Sequence, residues 1–400
     1  MQNDLLQEIS EEYKNKLDIE GFSQMMKDPS SSYKFYWLEA IVILMTEGVR
    51  QTTLNDLIDE MIANAWYSVT EFHIHLSGIV SGEVRDGLER AVLKLQKVSG
   101  LNSNVSKMEV KDAIKNYDAE LMEEKKQLTN MVPSRALAGF FVKSDTAVNW
   151  NSIVQTVAYI QAFDSKYGRL PYVLGTSPKL KKEVIFNPAW MNMIQDNTVS
   201  ILGWIQYEKI KWLQNNNPDV PGLVYKLTSL DEKMRKHENV RKLWNSIMSE
   251  NEICDVFTDN PLNGKSYDID HFVPWSFVMN DELWNLMPMD SNLNSSKNNK
   301  LPPWEPFFER FARNQFLMYE RISSSDDMHT LYEKCYKDNL HSIWANQELY
   351  IPSNTEEQFY NILEKNMRPV YESARRQGYQ MWDVQNALKK LTEAKNSGTI

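Results

Sequence analysis

The stretch that decides the fold of the most informative part of this chain is residues 267–300, YDIDHFVPWSFVMNDELWNLMPMDSNLNSSKNNK. Residues 268–272 alternate imperfectly between polar and apolar side chains and predict a short strand, which Pro274 breaks. Residues 284–287 predict the second strand of a hairpin, ending at Pro288. The segment therefore departs from the helical pattern that surrounds it.

A short helix is expected after the hairpin. Ser291 or Asn292 can cap its first turn, because short polar side chains accept hydrogen bonds from the free backbone N–H groups there. Asn294, Lys297 and Asn298 are spaced three and four residues apart, so all three can share one helix face. Strand, loop, strand and helix predict a small α+β unit with one polar pocket between hairpin and helix.

The side chains expected at this pocket suit metal-assisted chemistry. Asp270 and Asn294 offer oxygen atoms, which hard cations such as Mg²⁺ and Mn²⁺ prefer as ligands. His271 titrates near neutral pH and can deprotonate a water molecule. Adjacent side chains of an extended strand point to opposite faces, so a twist or bulge has to bring His271 and Asp270 together. Lys297 can meet a phosphate from the helix.

Phosphodiester hydrolysis needs a base that activates water and a cation that neutralises the developing charge. An Asp-His pair alone is typical of a surface turn, and a cluster of asparagines is typical of a loop. The presence of Pro274, Asn285, Asn294 and Lys297 around that pair, at these spacings, favours a hydrolytic site instead.

The segment resembles the HNH endonucleases, which adopt the ββα-metal fold. The matching stretches are DIDHFVPWSF, WNLMPMD and SNLNSSKNNKLP, and the resemblance covers residues 251–302. His271 precedes Asn285 by 14 residues and Asn285 precedes Asn294 by 9. These spacings, with Asn in the third motif position, are closest to the HNH domain of type II CRISPR nucleases and to phage junction-resolving endonucleases.

The resemblance implies a role for each matching residue. Asp270 and Asn294 would bind the metal ion, and His271 would be the general base. Asn285 would brace the loop and help to hold His271 in position. The products would carry 5′-phosphate and 3′-hydroxyl ends. The phosphate contact of Lys297 is inferred from its place on the helix rather than from the family.

The chain departs from many HNH proteins in two respects: the third motif position is Asn rather than His, which favours Mg²⁺ over softer metals, and the cysteine framework is missing. Those proteins frame the fold with two CxxC pairs that hold a structural zinc ion. Here only Cys254 lies in a comparable place, and residues 290–293 contain no cysteine. We therefore expect no structural zinc, and Mg²⁺ or Mn²⁺ as the cofactor. Aromatic packing is expected in place of the zinc, from Phe257, Phe272, Trp275, Phe277 and Trp284.

The rest of the chain predicts a mainly α protein with this one small α+β (ββα-metal) module. The expected domains are a mostly helical region over 1–175 of unknown role, a helical connector over 176–250, the nuclease domain over 251–320 and a C-terminal helical region over 321–400. Helices are expected at 33–47, 54–66, 84–98, 108–126, 198–213, 229–250, 304–320 and 356–392. Short strands are expected at 140–143 and 171–174.

Two features of the N-terminal region bear on function. His73 and His75 lie two apart and would share one face of a strand, which makes a metal pair conceivable, but structural histidines are favoured because no third ligand is near. Lys179, Lys181 and Lys182 form one of two modest basic clusters. The other cluster contains Lys233, Arg235, Lys236, Arg241 and Lys242, diluted by acidic residues.

The net charge of −10 is unusual for a protein that grips DNA unaided, because such proteins carry a basic patch or stripe. The two cysteines, Cys254 and Cys335, are far apart and fit a reducing cytosol. The polar and acidic N-terminal residues predict no signal peptide, and the most apolar stretch is too short to span a membrane. A cytoplasmic location is therefore expected.

Three hypotheses follow from these observations. The first is a metal-dependent HNH endonuclease that hydrolyses nucleic acid, with DNA favoured over RNA, in a phage-defence system or a mobile element. The second is an adaptor or nucleic-acid-binding protein with an HNH-like fold that no longer cleaves. The third is a nuclease that acts only with a protein partner whose basic surface holds the DNA, since an acidic chain is repelled by the phosphate backbone.

Overall fold

Helices make up most of the computed structural model, as the sequence predicts, and the strands form small antiparallel sheets. The chain divides into two compact units, Met1–Pro218 and Asp219–Ile400. None of the helices among the described residues is long and apolar enough to cross a membrane. The structure describes residues 9–26, 29, 31–77, 79–80, 83–84, 86–129, 133, 135–141, 152, 155, 158–159, 162, 170–227 and 236–396.

The first unit is built from helices and five short strands within the described residues. Its helices are α1 (Glu11–Lys16), α2 (Ile19–Gln24), α3 (Tyr33–Thr46), α4 (Leu54–Thr70), α5 (Gly87–Ser99), α6 (Lys107–Asn116), α7 (Asp118–Thr129), α8 (Pro188–Asp196) and α9 (Thr198–Asn216). Its strands are β1 (Gln51–Thr53), β2 (Ile79–Val80), β3 (Glu83–Val84), β4 (Tyr172–Leu174) and β5 (Glu183–Phe186). Short 3₁₀ turns cover Arg135–Phe140 and Lys179–Lys181.

Several predicted elements of this unit are confirmed. Helix α3 is buried on most sides, and α4 begins at a capping box in which Thr53 and Asp56 exchange hydrogen bonds. Gly100, which the sequence places at the end of a helix, caps α5 in the left-handed conformation at φ 66°. The strand expected at 171–174 is β4, which pairs with β5, and β5 also pairs with β1.

Other predictions for this unit are wrong in detail. The single helix expected over 108–126 is broken at Tyr117 into α6 and α7. Each of the two helices buries its own apolar side chains, Val110 and Ile114 in α6 and Leu121 and Leu128 in α7. Phe140 ends a 3₁₀ turn instead of starting a strand, and residues 142–143 lie outside the described residues. The EFHIHLS segment is not a strand, so the condition for a metal pair is not met; the structural role favoured for its histidines is supported for His75, whose Nδ1 lies 2.7 Å from Glu89 Oε1.

The second unit contains residues 267–300, the segment predicted to form a hairpin and a short helix. Its helices are α10 (Leu223–Leu227), α11 (Glu238–Glu250), α12 (Trp275–Val278), α13 (Ser291–Lys297), α14 (Trp304–Ser324), α15 (Asp326–Asn339), α16 (Glu356–Arg376) and α17 (Val384–Asn396). Its strands are β6 (Tyr267–His271) and β7 (Leu286–Asp290). A 3₁₀ turn covers Leu283–Asn285 and a π-helical turn covers Ala345–Leu349.

The ββα unit is present, with a shifted second strand. Strand β6 pairs antiparallel with β7 from Tyr267↔Asp290 to His271↔Leu286. Pro288, predicted to end the strand, instead pairs with Ile269 inside it; a two-stranded sheet has only edge strands, where proline is tolerated. The N-cap of α13 is Asp290, whose side chain accepts from Asn292 N, and not Ser291 or Asn292.

An aromatic cluster fixes this unit on the long helix α14. The Phe272 ring lies 4.8 Å from that of Phe311 and 5.9 Å from that of Trp304, and Trp304 stacks on Phe308 at 4.2 Å. Gln315 Nε2 also donates to Leu286 O at 2.6 Å. Burial of several aromatic rings gives this hydrophobic core its specific geometry. The end of β6 is therefore anchored immediately after His271.

Two long predicted helices of this unit have different bounds. The helix expected over 356–392 starts at the predicted capping box of Thr355 and Gln358, but it ends at Arg376. Gly378 at φ 97° takes the chain out of the helix, and α17 starts only at Val384. The helix expected over 229–250 is described from Glu238 onward; residues 228–235 lie outside the described residues.

Candidate functional site

One polar cavity lies between β6 and α13 and brings together two of the predicted site residues. Asp270 comes from the strand and Asn294 from the first turn of the helix. The cavity has a volume of about 250 Å³ and is also lined by Ile269, Trp275, Ser295, Asn298 and Asn299. Trp275 is half-buried at this cavity, so its predicted role in the aromatic core is wrong.

Alternation along β6 explains which side chains reach this face. Tyr267, Ile269 and His271 are buried, whereas Asp268 and Asp270 are partly exposed. Asn294 Nδ2 donates to Asp268 Oδ2 at 3.3 Å, and an Arg241 nitrogen lies 3.9 Å from Asp268 Oδ1. Sequence reasoning missed Asp268, although its position two residues before Asp270 on the same strand was the signal.

Lys297 occupies the inner side of this acidic face. Its side chain is fully buried, and Nζ donates to Asp270 Oδ2 at 2.8 Å and to His271 O at 2.7 Å. The ammonium group therefore neutralises Asp270 and ties the end of β6 to α13. The phosphate contact expected for Lys297 stays a prediction; in this structure its partners are protein oxygens.

His271 lies on the opposite face of β6 from Asp270. Its side chain is 1 % exposed, and its ring is not part of the cavity lining. Nε2 lies 3.1 Å from both Asn280 O and Asp281 Oδ1, while Nδ1 is buried without a hydrogen-bond partner. The regular register of β6 and β7 continues through both residues, so the twist required to join them is absent.

The chemical state of His271 follows from these contacts. Burial lowers the pKa of the imidazole below its usual value, although the hydrogen bond to Asp281 acts in the opposite direction. The ring is therefore neutral at pH 7. A carbonyl oxygen such as Asn280 O only accepts hydrogen bonds, so Nε2 carries the proton and Nδ1 carries the lone pair.

A second cluster surrounds the His271 ring, formed by His237, His271 and Asp281. His237 Nε2 lies 3.2 Å from the same Asp281 Oδ1 that His271 contacts. Burial alone would raise the pKa of Asp281, but hydrogen bonds from His237 and His271 hold it well below its usual value. Sequence reasoning missed His237 and Asp281, because nothing in their local spacing links them to the HNH motif.

Asn285 fixes the chain directly after the strand. Its Oδ1 accepts from Val273 N at 2.8 Å and its Nδ2 donates to Val273 O at 2.9 Å. The side chain is fully buried, so both backbone groups depend on it for their hydrogen bonds. This bidentate contact holds the start of the loop that leads from His271 to β7.

We expect Asn285→Ala to lower the free energy of unfolding by about 3 kcal/mol, because two buried backbone groups lose their partner. Chemical denaturation of the full chain measures the change. Asn361→Ala, at an exposed position of α16, is the control and should change stability by less than about 0.5 kcal/mol. Equal changes in both variants would show that Asn285 does not brace the loop.

Lys226 supports the same loop from α10. Its Nζ donates to Phe277 O at 2.6 Å and lies 5.0 Å from the centre of the Phe277 ring. Burial lowers the pKa of Lys226 to about 7. The folded chain therefore releases this proton at a pH where the unfolded chain still holds it.

The lowered pKa of Lys226 makes the stability of the folded chain depend on pH in a defined direction. Between pH 7 and 9 the unfolded state binds more protons at Lys226 than the folded state, so stability rises with pH. We expect the contribution of Lys226 to the free energy of unfolding to grow by about 2 kcal/mol over this range. Denaturation of wild type and Lys226→Met at both pH values measures it; parallel pH profiles of the two proteins would contradict it.

The donor set of the cavity fits a hard divalent cation. Asp270 supplies carboxylate oxygens and Asn294 supplies an amide oxygen, which suit Mg²⁺ or Mn²⁺. Asp268 does not line the cavity, but it accepts from Asn294 and is a further carboxylate next to it. The contact between Lys297 Nζ and Asp270 Oδ2 already shows this carboxylate holding a positive charge. These residues therefore fit such an ion, provided that Lys297 releases the carboxylate.

Three basic residues of the second cluster, at and just before α11, have acceptors within the protein. Lys236 pairs with Asp338, Lys242 pairs with Glu238, and Arg241 donates to Tyr267 O. Lys233 and Arg235 lie outside the described residues. In the first unit, Lys179 and Lys181 are exposed beside a cavity of about 560 Å³ that is mostly apolar.

Comparison with known proteins gives one match. Residues 255–303 match the family model described as HNH endonuclease. No curated protein and no solved structure matches the chain. The match supports a nuclease whose substrate is a nucleic acid, and it covers the cavity, the loop and the α13 helix described above. Residues 255–303 of the chain are therefore similar to the HNH endonuclease family.

Proposed function

We propose that this chain is a metal-dependent endonuclease that hydrolyses phosphodiesters of nucleic acid, with DNA favoured over RNA. The main support for the proposal is that Asp270 and Asn294, both within the family match at 255–303, line one cavity. The closeness of the spacings to the type II CRISPR form supports the assignment of each residue. Cytoplasmic phage defence or a mobile element is the proposed setting.

Asp270 and Asn294 are the proposed metal ligands, with Mg²⁺ or Mn²⁺ as the ion. When bound, such an ion neutralises the charge that develops on the phosphate and on the leaving oxygen. In the proposal Lys297 leaves Asp270 Oδ2, which its ammonium now occupies, so that both carboxylate oxygens become available to the ion. Once released, Lys297 lies on the same helix as Asn294 and is the proposed phosphate contact.

His271 is the proposed general base. Lys297 holds Asp270 and the His271 carbonyl at the same time, so it links the proposed metal ligand to the backbone of the proposed base. In the proposed active state the His271 ring turns toward the cavity, with Nδ1 as the basic atom because Nε2 carries the proton. The contacts of Nε2 with Asp281 and Asn280 O open in that state, while Asn285 still holds the loop behind His271.

A partner that accelerates the slow cleavage expected of the isolated chain is part of the proposal. The chain has a net charge of −10, and Lys236 and Lys242 each pair with a carboxylate of the chain itself. A basic surface from another protein would supply the attraction to DNA that the chain lacks. Rapid cutting of naked plasmid at physiological salt by the isolated chain would argue against this dependence.

The proposed roles of the chain segments follow the domain predictions. Residues 1–175 would select the target or bind the partner, and residues 176–250 would connect this region to the nuclease domain. Residues 251–320 would cleave the substrate, and residues 321–400 would stabilise the nuclease domain. The support by the C-terminal region rests on contacts such as Tyr371 Oη to Pro302 O at 2.8 Å and Leu301 N to Gln380 O at 2.9 Å.

A substrate panel tests the proposal. The full chain is incubated with supercoiled, linear and single-stranded DNA and with RNA, each with Mg²⁺, Mn²⁺ or EDTA. We expect cleavage of DNA with either metal and no cleavage with EDTA, with products that carry 5′-phosphate ends. Cleavage of RNA alone would overturn the assignment of DNA, and cleavage in EDTA would overturn metal dependence.

A second candidate function is a binding or adaptor protein that has lost cleavage. It is favoured by the buried Lys297–Asp270 ion pair and by the position of the His271 ring away from the cavity. Measurement of Mn²⁺ binding separates the two functions. If the chain is a nuclease, the wild type binds Mn²⁺ and the Asp270→Ala variant does not. If it is an adaptor of this kind, neither the wild type nor the variant binds Mn²⁺ at this site.

A further inference from the structure

His237, His271 and Asp281 form a cluster separate from the cavity of Asp270 and Asn294. Two imidazole nitrogens and one carboxylate oxygen lie within 4.8 Å of one another. His237 reaches the cluster from the start of α11, His271 from the end of β6, and Asp281 from the loop between α12 and β7. Three distant parts of the sequence therefore aim donor atoms at one point.

The spacing of the donor atoms suits a transition-metal ion. Asp281 Oδ1 lies 3.1 Å from His271 Nε2 and 3.2 Å from His237 Nε2. Tetrahedral ligands at bond lengths near 2.0–2.1 Å are separated by roughly 3.3 Å, so both distances from Asp281 Oδ1 fit one ion. The two Nε2 atoms lie within 4.8 Å of each other and would approach further when the ion binds. The two imidazoles favour Zn²⁺ and related ions over Mg²⁺, which prefers oxygen.

The carboxylate is held in place by contacts of its own. The carboxylate oxygen Oδ2 accepts from Lys236 N at 3.1 Å, and Asn339 Nδ2 donates to the backbone carbonyl of Asp281 at 2.9 Å, which fixes the chain at this residue. Hydrogen bonds of this kind orient metal ligands and raise the affinity of a site. The side chain of His237 is 20 % exposed, which leaves a route from solvent to the cluster.

We propose that His237, His271 and Asp281 bind a Zn²⁺-type ion through the two Nε2 atoms and Oδ1, and that this binding switches the nuclease off. An ion on Nε2 of His271 requires the proton of a neutral imidazole to reside on Nδ1. Nδ1 then has no lone pair to accept a proton from water. Binding of the ion at this cluster does not depend on the proposed function, whereas inhibition of cleavage by the ion rests on it.

The experiment uses Co²⁺ as a spectroscopic probe on the full, metal-free chain. We expect saturable visible absorption bands typical of Co²⁺ with nitrogen ligands, removed by one equivalent of Zn²⁺ and retained in excess Mg²⁺. His237→Gln and Asp281→Asn should each weaken Co²⁺ binding by more than about 100-fold, beyond what loss of an outer hydrogen bond costs. His329→Gln, at an exposed histidine of α15, is the matched control and should bind as wild type does.

Wild-type protein gives a measurement that needs no variant. Zn²⁺ should raise the Tm of the wild type in proportion to the logarithm of its concentration, because it binds only the folded chain. Absence of both the Co²⁺ bands and the Tm shift overturns the proposal, and so does retention of the bands in His237→Gln. Bands without any nuclease activity would refute the proposed function and leave the metal site standing.

Inhibition by Zn²⁺ is measured, for each protein, as the ratio of its cleavage rates without and with Zn²⁺. In Mg²⁺, addition of Zn²⁺ should reduce cleavage by wild type at least tenfold relative to its own Zn²⁺-free rate. The same addition should reduce cleavage by His237→Gln less than twofold relative to that variant. Equal inhibition of both proteins would show that Zn²⁺ acts elsewhere, for example at Asp270.

Discussion

His271→Ala is expected to reduce cleavage by about 10²–10⁴-fold, which is the contribution of a positioned general base. The loss should appear in the rate of the chemical step, measured in single turnovers with saturating metal and substrate. Binding of Mn²⁺ should persist, because Asp270 lies on the other face of β6 and Asn294 lies on α13, so both remain in place. This separation distinguishes loss of the base from loss of the metal site.

Two controls accompany this variant. His329→Ala removes an exposed imidazole from α15 and should leave cleavage unchanged. The free energy of unfolding is measured for both proteins, because the His271 ring is buried and its removal leaves a cavity. A folded His271→Ala protein that cleaves as fast as wild type would remove His271 from the chemistry.

Asp270→Asn is expected to abolish metal-dependent cleavage and to destabilise the metal-free chain. The ammonium group of Lys297 is fully buried and loses its only charged partner among the described residues. Breaking a buried ion pair on one side costs about 3–5 kcal/mol, because the remaining charge stays out of water. Denaturation of the full chain in EDTA measures this change.

The double variant Asp270→Asn/Lys297→Met separates stability from catalysis. Removal of both charges should restore most of the lost stability, because no unpaired charge remains in the interior. Cleavage and Mn²⁺ binding should stay absent, because the carboxylate is still missing. Recovery of cleavage in the double variant would show that Asp270 acts only as the partner of Lys297 and does not bind metal.

The sequence predicted the ββα unit because its signals are local. Alternation identified β6, and the short polar residues after β7 identified the start of α13. The exact end of β7 was not predictable, because Pro288 is normally a strand breaker and is accepted here only at the edge of a two-stranded sheet. The role of Asp290 as the N-cap depends on that shift.

The site was predictable in its residue types and only partly in its arrangement. The spacing of Asp270 and Asn294 placed both at one cavity, as the sequence analysis expected. The bond from Lys297 to Asp270 depends on how closely α13 packs on β6, which the helix periodicity does not specify. His237 joins His271 and Asp281 only through tertiary packing of α11, so no spacing rule connects them.

Cleavage of supercoiled plasmid by the purified full chain tests the central claim most directly. Wild type and His271→Ala are compared in Mg²⁺, in Mn²⁺ and in EDTA, and the ends of the products are identified. The proposed function predicts nicked or linear DNA with 5′-phosphate ends from wild type in either metal, and none from His271→Ala or in EDTA. Identical results from wild type and His271→Ala under all three conditions would contradict it.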